Sequence, residues 1–189
     1  IADKSAAAMG AVNPKANELQ WRLEMAVRLC ELRKQPIRII EVKGRRSGSS
    51  FWWAVKSHLE CANSPSKGLM MADVFKRSDE IFALQSAIAD GDVFPWGHGP
   101  AHARFEIETK SSKIVYGNGS EMTKETALDV KAGRGGGYRI GWFSEAFHYP
   151  TDGVRNAKTL MSGVLGTFPK TPDSIVGVEG TAYGCAGWG

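Results

Sequence analysis

Cysteine is scarce in this sequence, and the little there is forms no framework. Cys30, Cys61 and Cys185 are odd in number and widely spaced, and no C-x-x-C occurs. That argues against a disulfide scaffold or a zinc site and fits a reducing compartment. No apolar run approaches the length of a membrane span. The N-terminus lacks the charged-then-apolar order of a secretory leader, and neither an internal repeat nor a low-complexity tract is visible. His98, His102 and His148 lack metal-ligand spacing, so loop or surface positions are expected for them. Charge of one sign does not dominate either. A net charge of +4 is compatible with a nucleic-acid partner and equally with an ordinary, slightly basic soluble protein.

The chain has 189 residues, 42% of them hydrophobic. That supports one globular domain with a real core and is too little for two large ones. The first residue is Ile1 rather than Met, and the last, Gly189, follows a strand-and-glycine motif. Both ends read as cut. Residues 1–14, small and polar, read as a flexible lead-in, and 15–189 as the domain.

Periodicity then gives alternating elements. Leu19, Leu23, Met25, Val27, Leu29 and Leu32 recur near 3.6 and predict a helix ended by Gln35-Pro36. The run 37–42 predicts a strand, 44–50 a glycine-serine loop and 51–61 a helix. The order repeats as a strand at 68–72 and a helix at 78–88. A Gly-Pro-His loop follows over 91–102. Runs 103–108 and 113–116 predict a hairpin around Lys110-Ser111-Ser112. A strand over 138–143, a helix over 154–165 and a strand over 174–178 complete the reading. Such alternation implies an α/β domain with a mainly parallel sheet flanked by helices. Trp52 and Trp53 read as core or interface. Lys76 and Arg77 read as a solvated helix start.

Ligands of open α/β sheets sit beyond the carboxyl ends of the strands. The first such end carries Lys43-Gly44-Arg45-Arg46-Ser47-Gly48-Ser49-Ser50. Against the P-loop pattern G-x-x-x-x-G-K-[ST], Gly48 and Ser50 match. Lys43 stands at the first glycine, and Ser49 at the lysine. Backbone N–H groups and the next helix's N-terminus can still cradle phosphate. Ser50 can offer its hydroxyl to Mg²⁺, and Lys43, Arg45 or Arg46 can supply the cation. The competing reading is a basic turn that caps a helix through Ser49 or Ser50.

A second strand end, Phe143-Ser144-Glu145-Ala146, has the form of a Walker B segment with Ser144 in place of Asp. Glu145 can orient a water, whereas Ser144 can support Mg²⁺ only weakly. A third, Ser174 to Gly184, again runs from strand into small residues and a hydroxyl, with Gly180, Thr181 and Ala182 at the turn.

Taken in order, the three segments resemble the large subunit of tailed-phage terminases, from about Gln20 to the C-terminus. Residues 43–50 are similar to that family's deviant Walker A, and Phe143 to Pro150 to its Walker B. Glu179-Gly180-Thr181-Ala182-Tyr183-Gly184 is similar to its coupling motif. The resemblance implies a P-loop NTPase that binds ATP and Mg²⁺ and pumps double-stranded DNA into a procapsid. Arg45 would contact phosphate, and Thr181 would report γ-phosphate loss. Arg134 in Ala132-Gly133-Arg134-Gly135 would be a finger reaching a neighbour's ATP in a homo-oligomeric ring, and Gln20 would bond the adenine. Portal protein and terminase small subunit are the implied partners, and the cytoplasm of an infected or lysogenic bacterium the implied compartment. No membrane is implied. The family's nuclease domain follows its ATPase, and this chain stops at the coupling motif, so no DNA cleavage is expected of it. Two other classes compete: another P-loop translocase of helicase type, and a decayed prophage remnant that binds nucleotide without turnover.

Overall fold

The computed structural model of the chain describes residues 16–91, 106–129, 132–133, 136–152 and 156–182. The expected lead-in, the loop beyond Gly91, the start of the first hairpin strand, Arg134, Tyr183 and Gly184 lie outside the described residues.

The elements are α1 (Glu18–Leu32), β1 (Ile37–Lys43), α2 (Ser49–Asn63), β2 (Lys67–Ala72), α3 (Phe75–Gly91), β3 (Ile107–Thr109), β4 (Lys113–Tyr116), β5 (Glu121–Thr126), β6 (Ile140–Ser144), a 3₁₀ turn (Ala146–His148), α4 (Ala157–Leu165) and β7 (Ile175–Thr181). The seven described strands form one sheet in the order β1-β7-β6-β2-β5-β4-β3. The ladders from β1 through β7, β6 and β2 to β5 are parallel, and the hairpin β3–β4 extends the sheet antiparallel. The α/β expectation is met. β5 has no counterpart in the sequence reading.

Strand alternation divides the core between the two sheet faces. Met70, Ala72, Ile140, Trp142 and Ile175 join a cluster with Val27 of α1, Trp53 and Ala54 of α2 and Ile81 of α3. Leu69, Met71, Phe143, Val176 and Val178 join the opposite cluster with Leu160, Met161 and Val164 of α4. Trp53 is fully buried, as the core reading expected. Helix α1 buries Leu23 and Val27 and leaves Met25, Leu29 and Leu32 exposed.

This parity positions the site. Along β1, Glu41 and Lys43 continue the α2-facing set, as Glu179 and Thr181 do on β7 and Ser144 on β6. The carboxyl end of the sheet on that face is therefore lined with polar groups under the start of α2.

Candidate active site

A cleft of about 540 Å³ opens at this edge, lined by the whole run Lys43–Phe51 and by Asp73, Arg77, Glu145, His148 and Thr181. Four cationic side chains there, Lys43, Arg45, Arg46 and Arg77, face two carboxylates, Asp73 and Glu145. The balance favours a polyanion.

The loop is built from α1 as much as from β1. Asn17 and Gln20 form a capping box at the start of α1. The spare amide hydrogens of both reach the loop: Asn17 Nδ2 donates to Ser47 O at 2.8 Å, and Gln20 Nε2 to Gly48 O at 3.1 Å. Gly48 has φ +79°, and a Cβ there would lie 2.9 Å from both amide nitrogens, so only glycine fits. Arg46 also has positive φ, at 59°. These two residues curl the chain back before α2 begins.

Gly48 is the N-cap of α2 and supplies no side-chain cap. The first N–H groups of that helix are therefore not taken by a capping side chain, which suits an anion. The capping role considered for Ser49 or Ser50 is not realised. The Ser49 hydroxyl is buried and donates to Glu41 Oε2 at 2.8 Å, which Trp53 Nε1 also reaches at 3.2 Å. The position that holds lysine in an ordinary P-loop here faces inward, onto β1.

Lys43 supplies an ammonium instead. Its Nζ donates to Ser50 Oγ at 3.1 Å, lies 3.8 Å from Glu145 Oε1 and pairs closely with Glu179 Oε2. Arg45 and Arg46 are exposed at the rim, with no hydrogen bond or ion pair among the described residues.

Glu145 follows β6 in the left-handed conformation, φ 50°, a strained state held by its surroundings. Its Oε2 accepts the backbone N–H of Thr181 at 3.0 Å and the Thr181 hydroxyl at 2.9 Å. Burial pushes its carboxyl up. The two Thr181 hydrogen bonds, Lys43 and Arg77 outweigh that and hold it below the ordinary carboxylate range. Gly180 makes the contact possible, because a Cβ there would meet Phe147 at 2.7 Å. Ala182 is exposed just beyond β7.

Residues 43–50, Glu145 and Thr181 thus meet in one cleft. Gln20 lies behind the loop, beside a second recess of about 470 Å³ that Trp21, Phe51 and Trp52 also line. Ser144 is buried with its hydroxyl on Glu179 Oε1, at 2.7 Å. His148 is not a detached surface residue: its Nε2 lies 3.1 Å from Thr181 Oγ1. Arg77 is not a free helix start: it pairs with Asp73 at 3.3 Å inside the cleft. Asn17, Asp73 and Glu41 went unnoticed in the sequence; only the Asn before the α1 periodicity carried a cue, as a helix cap.

No three-residue group of His, Cys, Asp and Glu among the described residues is placed to hold a metal by itself. The donor set suits a phosphate-bound Mg²⁺ instead, which takes few protein ligands and one hydroxyl at this loop. No described helix is long and apolar enough to cross a membrane.

No protein-family model and no curated protein matches the chain. Solved structures do. The ATPase domain of the large terminase of Thermus phage P74-26 superposes with a TM-score of 0.57 at 18% identity, over 89% of this chain and 70% of that one. A mutant of the same domain gives 0.59 at 16% identity, over 91% and 72%. The likeness shows the fold: a mainly parallel α/β sheet flanked by helices, in the architecture of that terminase ATPase domain.

Proposed function

We propose that this chain is the ATP-binding and ATP-hydrolysing motor domain of a viral terminase large subunit, which drives double-stranded DNA into a procapsid. One observation carries the reading: Lys43, the Gly44–Ser50 loop, Glu145 and Thr181 line a single cleft at the carboxyl edge of one sheet, in a fold shared with a phage terminase ATPase domain.

The roles follow from chemistry. Loop amides and the start of α2 take the phosphates, and Lys43, with Arg45 and Arg46 from the rim, neutralises them. Ser50 offers its hydroxyl to Mg²⁺, and Ser144 contributes weakly. The metal, when bound, supplies charge neutralisation across the phosphates. Glu145, ionised by its surroundings, orients the attacking water as a base. Thr181 restrains Glu145 and relays γ-phosphate loss through Gly180 and Ala182. Gln20 serves the base side, where the recess by Trp21 and Phe51 offers apolar walls. Arg134 acts on a neighbour's ATP within a homo-oligomeric ring. Portal protein, small subunit and the bacterial cytoplasm complete the setting.

A decayed remnant fits less well. Ser49 and Ser144 are each engaged by a buried glutamate. Random loss would leave such positions without matched partners. A helicase-type translocase shares the P-loop chemistry, but the fold likeness favours packaging.

Calorimetry with ATP and Mg²⁺ tests the reading. Lys43→Ala is expected to weaken binding by about tenfold or more, the scale of a charge-assisted contact to phosphate. Glu145→Gln is expected to bind normally and to lose about 10²-fold or more in turnover by the assembled motor. Unchanged ATP affinity in a folded Lys43→Ala protein would sink the assignment.

A further inference from the structure

The nucleotide reading leaves a chemical gap. Ser144 stands where a Walker B strand carries its metal-supporting acid, and a hydroxyl brings no charge. The cleft itself holds two carboxylates. Glu145 is engaged by Thr181, and Asp73, two strands from β7, meets Arg77 through Oδ2, its buried Oδ1 having no hydrogen-bond partner among the described residues.

Sheet order supplies a third carboxylate, fully buried and outside the cleft's own lining. β7 lies between β1 and β6, with Phe143 beside Val178 and Glu41 beside Glu179. The next residues in step, Ser144 and Glu179, are neighbours on the α2-facing side. Glu179 is fully buried. Its Oε1 accepts from Ser144 Oγ at 2.7 Å and from Trp142 Nε1 at 3.3 Å. Its Oε2 meets the Lys43 ammonium, which on its other side donates to Ser50 Oγ at 3.1 Å. One cation therefore bridges this carboxylate and the hydroxyl assigned to Mg²⁺.

We propose that Glu179 is the metal-supporting acid of this site, carried one strand closer to the P-loop than in a Walker B segment, with Ser144 and Trp142 as its positioning residues. The inference rests on the nucleotide reading above. A buried carboxylate needs a compensating cation. Without ligand, Lys43 serves. When phosphates draw the ammonium away, Glu179 is left uncompensated unless a divalent cation joins Ser50 in its place. Nucleotide and metal are therefore coupled through Glu179: metal-free nucleotide pays for stranding the carboxylate, and Mg²⁺ relieves the cost.

The test is calorimetric ADP affinity with and without Mg²⁺, on the full 189-residue chain, with thermal unfolding as the fold control. In the wild type, Mg²⁺ is expected to tighten ADP binding by about tenfold, within the usual range of a coupling between sites. In Glu179→Gln that gain is expected to fall below about twofold, while metal-free ADP binds more tightly than to the wild type. A merely structural glutamate would weaken both together. The Mg²⁺ gain is expected to return in Ser144→Asp/Glu179→Gln, which restores an acid to β6. If Glu179→Gln does not fold, the double variant carries the comparison alone, and absence of the gain there overturns the proposal. A full gain in folded Glu179→Gln, or its loss in Asp73→Asn instead, also overturns it. Absence of any ADP binding by folded wild type overturns the nucleotide reading itself, and this inference with it.

Discussion

Thr181 gives both its backbone N–H and its hydroxyl to the same oxygen of Glu145, at 3.0 and 2.9 Å. The residue assigned to sensing phosphate and the residue assigned to orienting water are thus one mechanical unit at the end of β7. Thr181→Val removes the hydroxyl bond and keeps the amide bond. The expected cost is about 1–2 kcal/mol, for a hydrogen bond to a charged group that keeps one partner. Urea unfolding measures it. The Glu145 carboxyl should also titrate higher, by carboxyl NMR. An unshifted titration would mean that the hydroxyl is not what holds the carboxylate.

The two glutamates at this edge titrate in opposite directions. Burial pushes Glu179 up; Lys43 and Ser144 pull against it without cancelling it. Burial also raises Glu145, but Thr181, Lys43 and Arg77 bring it below its ordinary value. As pH falls, Glu179 is expected to protonate before Glu145. Glu145 adds stability that is fully present above the ordinary glutamate pKa, about 4.3, and is lost as pH falls through its lowered folded value. Glu145→Gln should therefore flatten the acid limb of the stability curve below that pH. Unfolding midpoints at stepped pH check this, and a wild-type acid limb in the variant would refute it.

What could be read linearly was the set of strand ends. Lys43, Gly44–Ser50, Glu145 and Thr181 follow apolar runs, so chain order alone suggested one edge of one sheet. What could not be read depends on which strands become neighbours. Glu179 lies in the same segment as Thr181, and the role proposed for it depends on β7 sitting between β1 and β6. Asp73 and Arg77 join the cleft because β2 lies beside β6. β5 escaped for a related reason. Glu121-Met122-Thr123-Lys124-Glu125-Thr126 is polar, with Met122 and Thr126 alone buried. Pairing with β2 and β4 and ion pairs such as Lys113–Glu121 and Lys124–Asp79 sustain it. Tertiary pairing overrides weak strand propensity there.

Ser49 tests whether the altered P-loop is built or broken. Glu41 is buried, its Oε1 has no hydrogen-bond partner among the described residues, and its Oε2 depends on Ser49 and Trp53. Ser49→Ala leaves Trp53 alone on that carboxylate and is expected to cost about 1–3 kcal/mol. Chemical denaturation measures the loss. A neutral result would mean that the serine contributes nothing to the loop's support.

Gly177 tests the packing under that network. A Cβ there would come within 2.2 Å of the Trp53 ring. The ring is fully buried, so it cannot swing clear into solvent. Gly177→Ala is expected to destabilise by about 1–3 kcal/mol through overpacking and to disturb the Trp53–Glu41 hydrogen bond. Unfolding and tryptophan fluorescence together check it. A stable variant with unchanged emission would show that the α2–sheet gap has slack.

Arg77 is the cleft's cation from the far side, half-buried and paired with Asp73 at 3.3 Å. It also helps keep Glu145 ionised. If it faces the phosphates across from Lys43, Arg77→Ala should weaken ATP binding by about fivefold, near 1 kcal/mol for a partly exposed charge. The effect should shrink at high salt. Arg77→Lys keeps the charge without the guanidinium fork. Recovery in Arg77→Lys would assign the effect to charge; loss in both would assign it to the planar Asp73 contact. Wild-type ATP affinity in Arg77→Ala would remove Arg77 from the nucleotide's surroundings and confine the phosphate contacts to the Lys43–Ser50 side.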